Sequence, residues 1–439
     1  MRLLLIALIG FMTLSGAFAF DPGPMPGLTI KNALLYALTL GLLLRFSMDK
    51  DFRIELPAIP VTFSVFILYA ILTYVAVILV IRYPYYNVIR NGLNLKGLVD
   101  QLLFFLVFFY GIRSSKDAVF LLKCLLTAWA LSHVVAVLDA TGLMHFGEVE
   151  QRSDGRVQGL VGESNQYGAF IALSLPVMIA VALWARGLQR LFWWSAASIS
   201  AVALLMTVSR GAFVAMFVAT VWGMVMFRRY LSGQHLVMLA GGVVVVVVLL
   251  VGLAAALGFG DLLYERLIAG TNSADMVTTS SGRTQIWSNA LARMFETPLS
   301  LLTGFGWRAY WSMPFRFSPH NHYLNQWFNL GLVGLACSVM LFVLPIRAAR
   351  AAVERACSEH RGILISFIVA CIAFATATFF VDLYAPWLDF WACTGIVLRI
   401  AVNAERHAPV PAVDESPSLL AARRRGDPFG WVGTAQQGR

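Results

Sequence analysis

YGAFIALSLPVMIAVALWARGLQRLFWWSAASISAVALLMTVSRGAFVAMFVATVWGMVMFRR, residues 167–229, decides the fold. It holds three apolar runs, 167–185, 191–208 and 211–227. A stretch carrying Arg186 and Arg190 separates the first two, and the turn Thr207-Val208-Ser209-Arg210-Gly211 separates the last two. Each run approaches the roughly 20 apolar residues that a helix needs to cross a bilayer. The rest of the chain agrees, being 59% apolar and only 13% charged. A soluble fold of this length has no means of hiding so much apolar surface, whereas a bilayer does.

Working outward by run length predicts about twelve spans. They lie at 2–20, 29–47, 61–81, 97–112, 117–140, 167–185, 191–208, 211–227, 235–258, 321–345, 362–381 and 385–403. The expected fold class is an all-α integral membrane protein. Its parts are a membrane domain over 1–258 (helices 1–9), a long outer loop over 259–320 with an amphipathic helix, a second membrane portion over 321–403 (helices 10–12), and a disordered tail over 404–439. The tail is rich in Pro, Ala, Arg and Gly, and its Arg423-Arg424-Arg425 suits contact with anionic membrane lipid. Residues 1–20 resemble a signal peptide in composition, but the spans that follow favour an uncleaved first helix. The five cysteines show no CxxC spacing, so neither a disulfide framework nor a thiolate metal site is indicated.

The net charge of +10 is read through topology, not as a nucleic-acid surface. With the N-terminus inside, about twenty of the 33 basic residues fall on the cytoplasmic side, which supports both termini being cytoplasmic. The outer face nevertheless keeps Arg152, Arg156, Arg210, Arg266, Arg283, Arg293, Arg308 and Arg316. Arginine held against that bias suggests an anionic ligand, because its planar fork suits phosphate; solvated loop charge and contact with lipid phosphate are the plainer readings.

Residues 259–320 are too many for a simple connection and too patterned for disorder. Ile286, Trp287, Ala290, Leu291, Met294 and Phe295 follow helical spacing from Thr284. Ser280 or Ser281 is placed to cap that helix, and Pro298 lies beyond its end. Arg283 then stands at the helix start, where the dipole disfavours a cation and favours an anion. The aromatic stretch Leu301-Leu302-Thr303-Gly304-Phe305-Gly306-Trp307 suits either close backbone approach to a sugar or lipid head group, or an interfacial anchor. The loop closes on Ser318-Pro319-His320-Asn321-His322, where either histidine can serve as a general base near neutral pH or as a structural group. A third outer element, Arg156-Val157-Gln158-Gly159-Leu160 with Gly162-Glu163-Ser164-Asn165-Gln166, leads into the sixth span; Asn165 and Gln166 suit sugar hydroxyls or a helix cap.

These residues resemble the O-antigen ligase and Wzy-type polymerase superfamily of bacterial envelope glycosyltransferases. The likeness runs over about residues 30–400 and rests on four features in order. They are Ser209-Arg210-Gly211, Gly282-Arg283 with Trp287, His320-Asn321, and Gly331-Leu332-Val333-Gly334. The Arg156 and Asn165 region is similar too, although Ser164 stands where family members often carry proline. The resemblance implies a GT-C-like helical bundle in the bacterial inner membrane and a metal-independent, inverting glycosyltransferase with no cofactor. The implied donor is an undecaprenyl-pyrophosphate glycan, and the implied acceptor is a glycan or a lipid A core. It assigns Arg210 and Arg283 to the pyrophosphate and His320 to the acceptor, with Arg156, Asn165, Asn321 and His322 as further substrate-binding candidates. The rival from another class is a transporter or flippase of lipid-linked glycan, which should place ionisable residues at mid-membrane. Lys123 and Asp382 are the nearest to that here, and no internal repeat is visible.

Overall fold

The computed structural model describes residues 1–15, 29–49, 53–144, 156–230, 282–314 and 319–406, together with 248, 252, 255–261 and 264. Every regular element among them is helical. In chain order the main helices are α1 (Arg2–Leu14), α2 (Ile30–Met48), α3 (Ala58–Ala76), α4 (Val88–Tyr110), α5 (Ser115–Ala140), α6 (Ser164–Trp184), α7 (Gly187–Thr207) and α8 (Arg210–Met226). They continue with α9 (Arg283–Glu296), α10 (Leu299–Thr303), α11 (His322–Ala352), α12 (Ser358–Ala377) and α13 (Trp387–Arg406). Eight of these, α3 with its π-helical extension to Ile81 included, are long and apolar enough to cross a bilayer, and α1 and α8 are apolar but shorter. The chain is an all-α, multi-pass membrane protein. The expected span at 235–258 lies almost wholly outside the described residues, as do Arg152, Arg266, Arg316, Ser280, Ser281 and the tail beyond Arg406.

Outward-facing side chains stay apolar. On α3, Val61, Val65, Leu68 and Leu72 are all largely exposed, as a lipid-facing surface requires. The centre is filled by α13, whose Phe390, Trp391, Cys393, Ile396 and Val397 are fully buried. It packs against α4 and α5, while α6 packs against α7 and α12. α4 begins at Val88, nine residues before the expected start at 97, because Asn87 caps it through the Arg90 amide. Its first turns are helical but too polar to register as an apolar run.

Helix α11 is broken at Gly331, which adopts φ 59°. The carbonyls freed by the break are taken by the loop after α10: the Phe305 amide donates to the Phe328 carbonyl at 2.9 Å, and the Gly306 amide to that of Asn329 at 2.8 Å. A Cβ at Gly331 would stand 2.1 Å from the Leu302 carbonyl oxygen, so backbone meets backbone there and only glycine fits. This settles the aromatic stretch 301–307. Its glycines do serve close backbone approach, but to the chain's own broken helix. Trp307 is buried and donates to the Asn91 carbonyl at 2.9 Å, so it is a core residue and not an interfacial anchor.

Candidate functional site

Helices α6, α8, α9 and α11 all begin at one end of the bundle, and local sequence fixes each start. Glu163 caps α6 by accepting from the amides of Asn165 (3.1 Å) and Gln166 (2.8 Å). Ser209 caps α8 and Asn321 caps α11, the latter through the Leu324 amide at 3.0 Å. Gly282, at φ 77°, turns the chain into α9. Capping of this kind is worth about 1 kcal/mol per helix, and here it also sets the geometry of the site.

Arg210 and Arg283 are the first residues of α8 and α9. A cation at a helix N-terminus opposes the dipole. The cost is compounded here, because the two guanidinium groups act on each other. Burial pushes the pKa of Arg283 down first, the charge of Arg210 pushes it further down, and Glu163 pulls it back up. A second guanidinium, Arg210, and one carboxylate, Glu163, therefore both act on Arg283, in opposite senses.

The Arg210 turn is held from behind. Arg156 is buried; its Nε donates to the Thr207 carbonyl at 2.9 Å and its guanidinium to Asn165 Oδ1 at 3.1 Å. The Ser209 hydroxyl donates to the same Asn165 oxygen at 3.1 Å, and the Asn165 amide donates to Glu163 at 2.7 Å. Val208 closes α7 in the left-handed region at φ 48°. Gly211 lies against Phe380, whose Cβ would be 2.6 Å from any Cβ added there.

α9 is the expected amphipathic helix, with Ala290 and Met294 buried and Ile286, Trp287 and Leu291 packed inward. Trp287 Nε1 donates to the Pro319 carbonyl at 2.6 Å, which ties the first turns of α9 to the residue before His320. The same indole meets Phe379 edge-on at 5.5 Å. His320 is half-buried with φ 46°, a conformation that costs a non-glycine residue about 1 kcal/mol or more and that often marks a functional position. His322 is placed differently. It is buried, its amide donates to the Thr378 carbonyl at 2.9 Å, and its Nδ1 lies 3.8 Å from Asp382.

Four of these segments meet on the connection between α12 and α13, at residues 378–385. Thr378 receives His322, Phe379 meets Trp287, Phe380 abuts Gly211, and the amides of Tyr384 and Ala385 donate to Gln166 Oε1 at 3.0 and 3.2 Å. Sequence reasoning singled out Asp382 only as a possible transporter group. It accepts from Asn325 at 2.7 Å and balances Arg308, whose guanidinium is desolvated and whose Nε has no hydrogen-bond partner. Glu163 was read within its motif but given no role. A lone carboxylate entering an apolar run was the available signal for Asp382 and Glu163 alike. Among the described residues no three His, Cys, Asp or Glu side chains are grouped to hold a metal ion.

The fold and this end of the bundle define a polytopic membrane protein with a desolvated, arginine-rich site at one face. Residues 195–339, about a third of the chain, match the family model Wzy_C, described as O-antigen ligase, so this segment is similar to that family. The matched segment contains Arg210, Arg283, His320 and Gly331, whereas Arg156 and Asn165 lie before it. No curated protein matches the chain. The likeness supports a function of the ligase or polymerase type.

Proposed function

We propose that the chain transfers a glycan from undecaprenyl pyrophosphate to an acceptor hydroxyl at the outer, periplasmic face of the bacterial inner membrane. The observation that carries the reading is the pair Arg210 and Arg283, two like charges brought together at two helix N-termini. A diphosphate between them turns mutual repulsion into attraction and meets the positive ends of both helices. In the proposed step the acceptor oxygen attacks the anomeric carbon from the face opposite the pyrophosphate, inverting it. The bond from that carbon to the pyrophosphate oxygen breaks, and the leaving group departs with the electron pair. Arg210 and Arg283 stabilise the charge it gains. His320 accepts the hydroxyl proton as general base. No metal ion or cofactor has a part in this scheme.

Arg156 and Asn165 are positioning residues in this scheme. Their polar groups are spent on Thr207, Ser209 and Glu163, so they hold Arg210 in place. Asn321 likewise caps α11, and His322 anchors that helix to Thr378. The His322 ring is buried whereas His320 is half-buried, which supports His320 as the working histidine. The acceptor is a lipid A core for a ligase or a second lipid-linked glycan for a polymerase.

The transporter reading draws on one feature, the break in α11 at Gly331, since broken helices line substrate paths in transporters. Here the freed carbonyls are satisfied by Phe305 and Gly306, which favours architecture over passage. Reconstituting the purified protein with an undecaprenyl-pyrophosphate glycan and each acceptor in turn tests the proposal. It expects a new glycosidic product with one acceptor and none from the His320→Ala variant. Movement of intact donor across the bilayer without any product would favour the rival.

A further inference from the structure

The end of the bundle opposite the candidate site carries a feature that the transfer chemistry does not use. Between α1 and α5 runs a cleft of about 760 Å³. Ile6, Ile9 and Gly10 form one wall, and Phe120, Thr127 and Leu131 form the other. Phe120 and Leu131 remain 39% and 48% exposed, so the cleft opens sideways toward lipid. A second cavity of about 510 Å³, reaching toward α6, α7 and α12, shares Lys123, Gln189 and Glu359 with it.

The cleft is apolar along its length and basic at its end. Lys116 and Lys123 stand two helical turns apart on the face of α5 that lines it. Lys123 is the eighth residue after Ser115, about 12 Å along the axis from the helix start. A charge at that depth is costly unless its stem runs along apolar surface and its head finds an anion or the interface. Among the described residues neither lysine forms an ion pair, whereas the neighbouring Arg2 is already held by Asp117 at 3.3 Å and by the Phe120 ring. Glu359 and Gln189 also line the cleft mouth; Gln189 can meet hydroxyls as donor or acceptor, and Glu359 as an acceptor. Gly10 faces open space, with nothing within 4 Å of the place a Cβ would occupy.

We propose that this cleft seats one anionic phospholipid of the phosphatidylglycerol type. Its phosphodiester lies between Lys116 and Lys123, its glycerol hydroxyls face Gln189 and Glu359, and an acyl chain lies along α1 and α5. A zwitterionic head group would bring a third cation to a site that already holds two.

Native mass spectrometry of the full chain, released from detergent with equal amounts of phosphatidylglycerol and phosphatidylcholine, reads this directly. One retained phosphatidylglycerol per chain is expected. Replacing both lysines, Lys116→Gln with Lys123→Gln, should lower its retention about thirty-fold, each basic group near the surface adding a modest attraction. The Lys116→Arg, Lys123→Arg pair should restore it. Gly10→Phe keeps both charges and fills the cleft, so it too should lose the lipid while eluting as the same monodisperse species. Equal retention of the two lipids, or retention unchanged by the double glutamine variant or by Gly10→Phe, overturns the proposal.

Discussion

Arg283 and Arg308 lie in the same segment, and both are desolvated, yet their neighbours differ. Burial lowers the pKa of each. The next influence on Arg283 is another arginine, Arg210, which lowers it further; the next on Arg308 is a carboxylate, Asp382, which raises it. Among the charges around it, Arg308 is governed first by a carboxylate, and the opposing charge of Arg90 comes after it. Arg283 is governed first by a second cation, and the opposing Glu163 carboxylate comes after it, so an anionic ligand would gain from both arginines. Under the proposed function, the contrast makes Arg283 a ligand-binding group and Arg308 a structural one.

Breaking the chemistry should cost most. His320→Ala should lower transfer by about a hundred- to ten-thousand-fold with unchanged protein abundance, as for loss of a general base, measured by product formation from a defined donor. Next come Arg283→Lys and Arg210→Lys. Each keeps the charge but loses the planar fork, and each should lower transfer by about a hundred-fold or more. Arg308→Met should act on stability instead, because it leaves Asp382 without its compensating charge; about 1–3 kcal/mol is expected from thermal unfolding in detergent, with donor binding retained by the folded fraction. Gly331→Ala should behave likewise, since a Cβ there meets the Leu302 carbonyl at 2.1 Å and φ is 59°. The smallest effect is expected from a chelator, which should leave transfer unchanged.

Much of this was legible in the chain. Apolar run length anticipated the all-helical membrane fold, with eight of about twelve expected spans long and apolar enough among the described residues, and the 3.6-residue period located α9 to within one residue of its observed start at Arg283. Arginine retained against topological bias drew attention to the outer face as a whole, and the family resemblance singled out Arg210, Arg283 and His320. Other parts left no local trace. The loop 304–306 fills the break at Gly331 through backbone hydrogen bonds, which no side-chain period announces. Residues 378–385, on which four segments converge, act partly through the Thr378 carbonyl and the Tyr384 and Ala385 amides, which leave no side-chain signal. Arg156 and Asn165 were legible as a pair but not as supports, because only the fold brings Thr207 and Ser209 beside them.

The division of labour between the arginine pair and the histidine is tested most directly by measuring donor binding apart from transfer. Binding of an undecaprenyl-pyrophosphate glycan to purified wild-type, Arg283→Lys and His320→Ala proteins, titrated in the same detergent, gives that separation. The account predicts that His320→Ala binds donor as the wild type does and transfers nothing, while Arg283→Lys binds it about ten-fold or more weakly. Wild-type donor affinity in Arg283→Lys, or its loss in His320→Ala, would contradict the assignment of the two groups.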